Sequence, residues 1–348
     1  MPTNRCPNAV KCQACEGYNF EVQIANGDLT CVYRPEKVCL LNCHLGFVPT
    51  KSEIIPCQEK PKVPQNLTCE KPALLLIGGL SDQNIPLKSV EIYHPTISIP
   101  VTMPDLPQYF DESAALWFDG NLIICGEQYQ ESVKCYKFDK SEWHWKEDPE
   151  PYLYIRSGIV SFSRPKSSWL LYVTGGLSNN FGKSVIAYDY KGVISMNANA
   201  FHPPLYRHCL SSLNISNMMA IGKNHYYVSQ EDFNHPWNAS PHHLNLFSPS
   251  CVTYEGQTTL VLDSESTSQV HKVNHRSMDF TNVELEEPLA PGSQLTLLDG
   301  KVYGIGGSQV VKQIVVSENS VNVLNASMSL KQIRKNFAKV EVPLSYFS

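Results

Sequence analysis

The fold is decided by Leu74-Leu-Leu-Ile-Gly78-Gly79, an apolar run that ends in two glycines, because similar runs recur along the chain. Two close copies are Leu171-Tyr-Val-Thr-Gly175-Gly176 and Val302-Tyr-Gly-Ile-Gly306-Gly307, and altered copies end near Gly126, Gly222 and Leu262. Successive copies are separated by 48, 49, 47, 40 and 44 residues. A period of this length predicts six structural repeats that pack on one another.

Each repeat is predicted to contain four antiparallel strands. A second β-rich stretch precedes the glycine run across a tight turn, as in Phe118-Asp-Gly120-Asn121 and Leu298-Asp-Gly300-Lys301. Asp-Gly between two apolar runs favours a hairpin turn, because both central residues of that turn need positive φ. A third strand with a tyrosine follows, as in Ser89-Val-Glu-Ile-Tyr93, and Trp143 and Trp145 mark a fourth strand.

A double glycine after the second strand, a tyrosine in the third and a tryptophan in the fourth resemble the kelch repeat. The resemblance covers residues 72–348 and implies an all-β fold, a six-bladed kelch-type β-propeller. A WD40 propeller has a similar repeat length, but its Gly-His and Trp-Asp series is not found in the sequence. Glycine fits the end of the second strand, because a side chain there would crowd the neighbouring blade or strain the backbone.

The ring of blades needs a closing strand, because the first repeat begins directly at its second strand. Residues 333–342 resemble the start of a first strand, as residues 154–160 and 206–210 do. We therefore expect the C-terminal strand to pair with residues 74–77. This pairing would close the ring, and an open ring would expose sheet edges.

Composition and charge exclude several classes of protein. The chain has 348 residues, of which 42% are hydrophobic and 18% are charged, and this provides ample material for a packed core. A formal net charge of −5 argues against a nucleic-acid partner and against a polybasic membrane binder. No run approaches 18 uninterrupted apolar residues, so we expect no membrane-spanning helix.

Eight of the twelve cysteines lie in the first 69 residues, and this density is typical of a disulfide scaffold. We therefore predict a small disulfide-rich N-terminal domain over residues 1–71 and the propeller over residues 72–348. Within the first domain, the cysteine spacing and the segment Cys43-His-Leu-Gly46-Phe47 resemble a sushi (complement-control) module. Six cysteines allow fifteen connectivities, and the sequence alone does not choose among them.

The sushi resemblance implies a set of disulfides, with the two cysteines outside the module left for each other: Cys15–Cys57, Cys43–Cys69, Cys31–Cys39 and Cys6–Cys12. The alternative is a zinc site, because Cys12-x-x-Cys15 and Cys39-x-x-x-Cys43 have plausible ligand spacings. In the propeller, Cys125 and Cys135 are expected on adjacent antiparallel strands, and Cys209 and Cys251 at equal positions of neighbouring blades. We predict the bridges Cys125–Cys135 and Cys209–Cys251, with buried free thiols as the alternative.

Cysteine usage also predicts an oxidising compartment. Four N-x-Ser/Thr sequons add modest support for a secreted glycoprotein, at Asn66, Asn214, Asn238 and Asn325. The residues from Met1 to Cys6 contain no apolar leader, and we interpret the signal peptide as removed or missing. A cytosolic protein with free or zinc-bound cysteines is the alternative.

The sequence carries no strong catalytic motif. Neither a phosphate-binding glycine loop, a His-Glu-x-x-His motif nor a Gly-x-Ser-x-Gly elbow is found in it. Tyr93-His94 and His242-His243 are superficially similar to the ligands of copper radical oxidases, which have a kelch-like domain. We interpret Tyr93 as the tyrosine of the repeat, His94 as a surface residue at a strand end, and His242-His243 as polar loop residues.

We therefore expect a non-catalytic, monomeric protein without a cofactor that recognises an extracellular protein or glycan. Binding is predicted through the N-terminal module and the variable rim loops at residues 80–88, 177–183 and 224–250, since loops carried by a rigid scaffold tolerate variation. Individual candidates are Asp232, Phe233, Trp237, His242 and His243, with packing of Trp237 against its own blade as the alternative. Two other functions remain open: a secreted propeller enzyme and an intracellular kelch adaptor.

Overall fold

The structure of the chain is a computed structural model, and the regular elements of its described residues are nearly all β-strands. It describes residues 4–6, 10–15, 18–22, 24–32, 38–44, 46–50, 54–56, 68–99, 101–110, 112–118, 120–127, 134–148, 160–163, 171–175, 185–189, 192–197, 201, 208–212, 218–222, 225–228, 237–240, 245–254, 257–317 and 320–347. In these ranges the helical structure is a single 3-10 turn, Leu344–Phe347, so none of the described helices could cross a bilayer.

The described residues before Lys71 form eight short strands: β1 (Asn4–Cys6), β2 (Val10–Cys15), β3 (Tyr18–Val22), β4 (Gly27–Val32), β5 (Val38–Cys43), β6 (Val48–Pro49), β7 (Ile54–Pro56) and β8 (Cys69–Glu70). They make one sheet in the order β1-β4-β5-β7 and two strand pairs, β2-β3 and β6-β8.

The structure does not define the small N-terminal domain that the sequence predicted, because these strands are divided among three sheets and contact the rest of the molecule. The indole Nε1 of Trp117 donates to the carbonyl of Pro49 at 3.1 Å, and Lys71 Nζ contacts Asp299 Oδ2 at 2.8 Å. Gly46 has φ +84° and packs so closely that a Cβ atom there would lie 2.3 Å from the backbone nitrogen of Gly300. The N-terminal strands and the propeller therefore share contacts through both main chain and side chains.

The propeller begins with β9 (Pro72–Ile77) and β10 (Val90–Tyr93) and continues as five four-stranded antiparallel sheets, which we call blades two to six. Blade two contains β11 (Glu112–Phe118), β12 (Asn121–Glu127), β13 (Lys134–Asp139) and β14 (His144–Glu147). Blade three contains β15 (Val160–Ser163), β16 (Leu171–Gly175), β17 (Val185–Asp189) and β18 (Gly192–Asn197). Blade four contains β19 (Cys209–Ser212), β20 (Met218–Ile221), β21 (Tyr226–Val228) and β22 (Asn238–Ala239).

Blade five contains β23 (Pro249–Tyr254), β24 (Thr258–Asp263), β25 (Gln269–Asn274) and β26 (Phe280–Glu284). Blade six contains β27 (Gln294–Leu298), β28 (Lys301–Ile305), β29 (Lys312–Val316) and β30 (Val321–Asn325), and the last strand is β31 (Ala338–Pro343). The first strands of consecutive blades, from β11 to β27, contact one another, so the blades follow each other around a common centre.

The last sheet, which we call the closing sheet, has three strands in the order β10-β9-β31. The structure therefore has five four-stranded blades and not the six that the sequence predicted. The expected strand pairing is confirmed, since β31 pairs with β9 from Ala338 opposite Ile77 to Pro343 opposite Pro72. β31 contacts β11 of blade two, and the amide Nε2 of Gln294 in β27 donates to the carbonyl of Phe337 at 2.9 Å. The closing sheet thus occupies the place between blades two and six.

Among the described residues the closing sheet lacks a fourth strand, because the chain turns away after β10. The ring Nδ1 of His94 accepts hydrogen bonds from the backbone N–H groups of Thr96 at 3.2 Å and Ile97 at 3.1 Å. Those two donors are then unavailable to a strand ladder. Further along, Trp143 and Trp145 of blade two donate their indole N–H groups to the carbonyls of Thr102 and Pro104, which hold this segment on blade two.

Glycine pairs end the second strands of the closing sheet and blade six, and the expected reason is confirmed. Gly79 has φ +87° and Gly307 has φ +70°, a region that L-residues with side chains rarely adopt. A Cβ atom would lie 2.5 Å from the Lys335 carbonyl oxygen at Gly79 and 2.4 Å from the Pro291 carbonyl oxygen at Gly307. Close approach of the linker that leads into the first strand of the same sheet therefore requires glycine at both places.

Arg334 ties the closing sheet together from the linker before β31. Its side chain is 1% exposed, and Nη1 donates to the carbonyls of Gly78 at 2.8 Å and Ser89 at 2.9 Å. The guanidinium Nε lies 3.5 Å from Glu91 Oε2, and Glu91 is also buried. This buried charge pair connects the C-terminal segment to both β9 and β10.

Three predicted disulfides are confirmed. Cys43 and Cys69 join the N-terminal strands with a Cα–Cα distance of 5.5 Å. Cys125 and Cys135 are direct register partners in β12 and β13, and Cys209–Cys251 links the first strands of blades four and five. The turn at Asp299 and Gly300 also has the predicted geometry, with positive φ at both residues.

Candidate functional site

A cleft of about 720 Å³ opens where blade two meets the N-terminal strands and the C-terminal 3-10 turn. This volume lies in the usual range for small-ligand sites. The cleft is on the rim that carries the hairpin turns at Gly120 and Gly300, which we call the turn rim. It is lined by residues from four distant parts of the sequence: Thr50, Trp117, Gly120, Asn121, Lys137, Phe138, Asp139, Lys140, Ser141, Lys146, Glu147, Asp148, Ser345 and Tyr346.

Three aromatic side chains form the apolar wall of the cleft. Trp117 and Tyr346 pack edge to face with ring centroids 4.9 Å apart, and Phe138 lies 6.2 Å from Tyr346 in a similar arrangement. Trp117 is held in place by its hydrogen bond to Pro49, and Phe138 is further packed by Trp145 at 5.2 Å. Edge-to-face pairs of this kind add rigidity to apolar burial. The wall is therefore preformed.

The turn between β13 and β14 supplies the polar side of the cleft. Asp139 Oδ1 accepts hydrogen bonds from the backbone N–H groups of Ser141 at 2.9 Å and Glu142 at 3.2 Å, and Oδ2 contacts Lys146 Nζ at 2.6 Å. The bonds from Lys146 and Ser141 hold the pKa of Asp139 well below its usual range, and Asp139 in turn raises the pKa of Lys146. Both groups stay charged at neutral pH, and Asp139 is too weak a base for proton transfer.

Two further lysines give the cleft cationic character. Lys140 Nζ lies 5.5 Å from the centre of the Tyr346 ring, which is the distance of a cation–π contact. Lys137 is exposed and lies opposite Lys146 in the β13–β14 register. Within the described part of the chain, Lys137 has no carboxylate within 4.0 Å, whereas Lys146 is paired with Asp139 and Glu142. Lys137 is therefore the cation of the cleft that is available to a ligand.

The predicted loop at residues 80–88 lies on the opposite rim, which we call the glycine rim because Gly79 and Gly307 lie there. Ser81 accepts the backbone N–H of Ile85 with its hydroxyl at 3.0 Å, and its own N–H bonds to the Ile85 carbonyl at 2.9 Å. This compact turn leaves Ile85 56% exposed. The loop at 177–183 lies outside the described residues, as do residues 224, 229–236 and 241–244 of the loop at 224–250.

Trp237 is the one binding candidate that the structure describes, and it is not a surface residue. It is 4% exposed and packs edge to face on Phe201 with ring centroids 5.1 Å apart. The alternative prediction, packing against its own blade, is therefore correct for this side chain. Burial of its large apolar ring inside blade four stabilises the fold relative to exposure of the ring to solvent. The other candidates lie outside the described residues: Asp232, Phe233, His242 and His243.

Tyr93 and His94 have structural contacts inside the closing sheet. The Tyr93 hydroxyl donates to the carbonyl of Met328 at 3.1 Å, and burial raises its pKa above the usual value. His94 is 2% exposed, so the prediction of a surface residue is wrong. It is buried because it caps the turn that leaves β10. Burial lowers the pKa of His94, with a smaller opposing effect from Asp299.

The centre of the ring contains a pair of ionisable groups that the sequence did not single out. Lys339 of β31 donates to the carbonyl of Leu295, and Glu341 Oε1 accepts a hydrogen bond from the hydroxyl of Thr296 at 3.3 Å. Burial raises the pKa of Glu341 to about 7 and lowers that of Lys339 to about 8. In the described ranges, no three histidine, cysteine or acidic side chains converge as metal ligands would.

Two sequons lie on exposed residues, Asn238 at the start of β22 and Asn325 at the end of β30. Asn66 and Asn214 lie outside the described residues. Cys31 and Cys39 are direct register partners in β4 and β5, and their predicted disulfide stays a prediction because their side chains are not described. The same holds for the predicted bridges Cys6–Cys12 and Cys15–Cys57, and Cys57 itself lies outside the described residues.

Sequence reasoning missed the cleft because no single segment contains it. Trp117 lies on β11, for which the only sequence signal is the turn at Gly120 that follows it. Tyr346 lies more than 200 residues later, after β31. Lysines and acidic residues cluster in the sequence around Trp143 and Trp145. This cluster was the signal that could have indicated a polar site beside the fourth strand of blade two. Neither a protein-family model nor a curated protein sequence matches the chain.

Proposed function

We propose that this chain is an extracellular recognition protein of the kelch-propeller type that binds a glycan or protein without catalysis. In this proposal the three-stranded closing sheet completes the ring between blades two and six, and the N-terminal strands are a sushi-like module attached to the turn rim. The observation that carries the proposal is the cleft, with its aromatic wall and the exposed Lys137, which has no carboxylate within 4.0 Å among the described residues. The size of the cleft favours a glycan as the ligand, since protein interfaces are usually broad and flat.

An extracellular location is supported by the cross-links. The bridges Cys43–Cys69, Cys125–Cys135 and Cys209–Cys251 are distributed over the N-terminal strands and the propeller. Disulfides persist in oxidising compartments and are rare in the cytosol. This distribution favours a secreted protein over an intracellular adaptor.

A binding role is supported over an enzymatic one by the state of the polar groups. Asp139 is held as a stable anion by four hydrogen bonds, and Tyr93 and His94 are engaged in holding the closing sheet. General acid–base catalysis needs a group whose pKa lies near the working pH, and neither Asp139 nor Tyr93 is such a group. Glu341 and Lys339, with pKa values of about 7 and about 8, lie at the ring centre and do not line the cleft. The cleft instead offers a rigid wall, hydrogen-bonding groups and a free cation, which together suit an acidic saccharide.

The test is binding of the full chain to an array of sialylated, sulfated and neutral glycans. Lys137→Glu should reduce binding of an acidic glycan by about tenfold, the effect of losing one charge-assisted contact. Lys331→Glu, which changes an exposed lysine near the glycine rim, is the matched control and should leave binding unchanged. Binding that is insensitive to Lys137→Glu, or turnover of a bound sugar, would contradict the proposal.

A further inference from the structure

The outer edge of the closing sheet carries backbone groups that are not used in the fold. Ser89 faces β9, since its carbonyl accepts the N–H of Gly78 at 3.1 Å, so Glu91 and Tyr93 also face β9 by alternation. Val90 and Ile92 therefore direct their N–H and C=O groups away from β9. In the described part of the chain, no hydrogen bond reaches these four groups.

The same edge is bounded at both ends. At its start, the Lys88 carbonyl accepts the N–H of Leu106 at 2.8 Å. At its end, His94 holds the Thr96 and Ile97 N–H groups, and the Pro95 carbonyl accepts the hydroxyl of Ser327. The unused groups thus form a short edge of strand length between two fixed points. Each of blades two to six has a fourth strand at the corresponding position.

The neighbouring blade presents an exposed apolar strip beside this edge. In blade six, Ile314 packs toward blade five, so the alternate residues Val311 and Val315 lie on the opposite face of the sheet. That face is directed to the closing sheet, because Val311 belongs to a cluster with Leu76 and Tyr93. Further out on the same face, Val315 is 38% exposed.

Leu324 completes the strip. It lies opposite Gln313 in the β29–β30 register, on the same face as Val315, and is 53% exposed. A fourth strand in the closing sheet would cover both side chains. Asn325, the neighbouring sequon residue, shares its face with Lys312, whose Nζ donates to Asn325 Oδ1 at 2.7 Å. A glycan on Asn325 would therefore project toward blade five and leave the strip accessible.

We propose that the outer edge of β10 accepts an extended segment of a partner protein as the fourth strand of the closing sheet. The occupant is a peptide strand because the unpaired groups are backbone donors and acceptors with strand spacing, and because strand addition uses such groups for affinity. Its side chains on one face are apolar, to cover Val315 and Leu324. This surface is separate from the glycan cleft on blade two, so the proposal does not depend on that function.

The experiment uses the full chain and a displayed library of random twelve-residue linear peptides. A selected peptide is synthesised in two forms, one N-methylated at the odd-numbered residues and the other at the even-numbered residues. Each form is titrated with the full chain by fluorescence anisotropy. One register should abolish binding and the other should not, since only one set of N–H groups faces the edge. Binding should also slow amide exchange at Val90 and Ile92.

Two variants test the site itself. Ile92→Pro removes an outward N–H without breaking the β9 ladder, because proline is tolerated on strand edges. It also removes a partly buried side chain that packs against the core cluster shared with blade two. Leu324→Glu changes an exposed side chain of the strip and keeps the test valid if the proline variant is unstable. Each should weaken binding by about tenfold or more. Phe247→Glu, at a residue of similar exposure elsewhere, is the control and should change binding less than about twofold.

Several results would overturn the proposal. A library that yields no peptide sensitive to Leu324→Glu excludes strand addition at this edge. Protection of Val90 and Ile92 in a dimer of the chain alone would identify a second copy as the occupant and not a partner. Peptides that lose binding with Lys137→Glu but not with Leu324→Glu would place the interaction in the cleft.

Discussion

Blade six and the closing sheet are neighbours with the same glycine pair but with different construction. Blade six is made of one continuous stretch, from Gln294 to Asn325, and has four strands. The closing sheet combines β9 and β10 with β31, whose paired residues are more than 240 positions apart, and has three strands. The comparison shows that the glycine pair, a local signal, determines where a second strand ends. Whether the sheet is completed depends on strands from distant parts of the chain.

The two sheets also differ in what holds them. In blade six, Ser293 and Gly306 are joined by a local hydrogen bond of 2.9 Å across the first two strands. In the closing sheet, the buried Arg334 and Glu91 perform that task between distant segments. Such a pair contributes little net stability but is costly to break on one side. The closing sheet should therefore be the more sensitive of the two to mutation.

Deleting residues 333–348 should have the largest effect, because it removes β31, Arg334 and the buried Phe337 and Val342. The loss should exceed about 5 kcal/mol, which is the whole stability of many domains. The exposed β9 edge should promote association. Chemical denaturation and size-exclusion chromatography would measure both effects. A truncated chain that stays monomeric with an unchanged melting temperature would show that the ring closes in another way.

Arg334→Met should cost about 3–5 kcal/mol, because it leaves the carboxylate of Glu91 buried without its cation. The double variant Arg334→Met with Glu91→Gln removes both charges and should be less destabilised than the single variant. Urea titrations of the four proteins of this double-mutant cycle would measure the coupling. Equal losses in the single and double variants would mean that Arg334 acts only through its backbone contacts.

Gly79→Ala and Gly307→Ala should cost similar amounts in the two sheets, about 2–4 kcal/mol, from positive φ and from overlap with a carbonyl. Gly300→Ala is the matched control, since Gly300 also has positive φ but no atom within 4 Å of the added Cβ. It should cost only about 1 kcal/mol. Thermal unfolding would rank the three. A Gly300 variant as unstable as the Gly79 variant would attribute the whole effect to backbone strain.

His94→Asn should have the smallest effect and should act through pH. Burial lowers the pKa of His94 in the folded state, so below pH 6.5 the unfolded chain binds the proton that the folded chain does not. Stability is therefore lost as the pH falls from 6.5 through the lowered pKa, by at most about 1.4 kcal/mol per pH unit. Asparagine keeps an acceptor for the turn and does not titrate, so the variant should lose less stability between pH 7 and pH 5. An unchanged pH slope would contradict this role.

Much of the fold could be predicted because its signals are local. The pair Asp299-Gly300 forces a primed turn, and Gly78-Gly79 and Gly306-Gly307 mark strand ends that a side chain would block. Cys125, directly before Gly126, and Cys135 are expected on adjacent strands of blade two, and the register confirms this. The pairing of β31 with β9 followed from the missing first strand.

The blade count and the site could not be predicted in the same way. Each glycine run marks one second strand. The number of runs therefore does not show whether a fourth strand pairs in each sheet. In the closing sheet that outcome depends on the His94 ring, which takes the N–H groups of Thr96 and Ile97. Trp237 illustrates the same limit, because its burial against Phe201 depends on packing and not on its loop position.

The antiparallel pairing of β9 with β31 has a mechanical consequence. Pro72 and Pro343 are paired at the end where the chain enters and leaves the ring, and the Leu344 N–H bonds to the Lys71 carbonyl at 3.2 Å. None of the three described disulfides spans this seam. A tensile force between residues 70 and 344 would therefore separate the six residue pairs one after another, as a zip opens, instead of shearing them together. Under load, the ring should open at the closing sheet, while the cross-linked blades two, four and five stay folded.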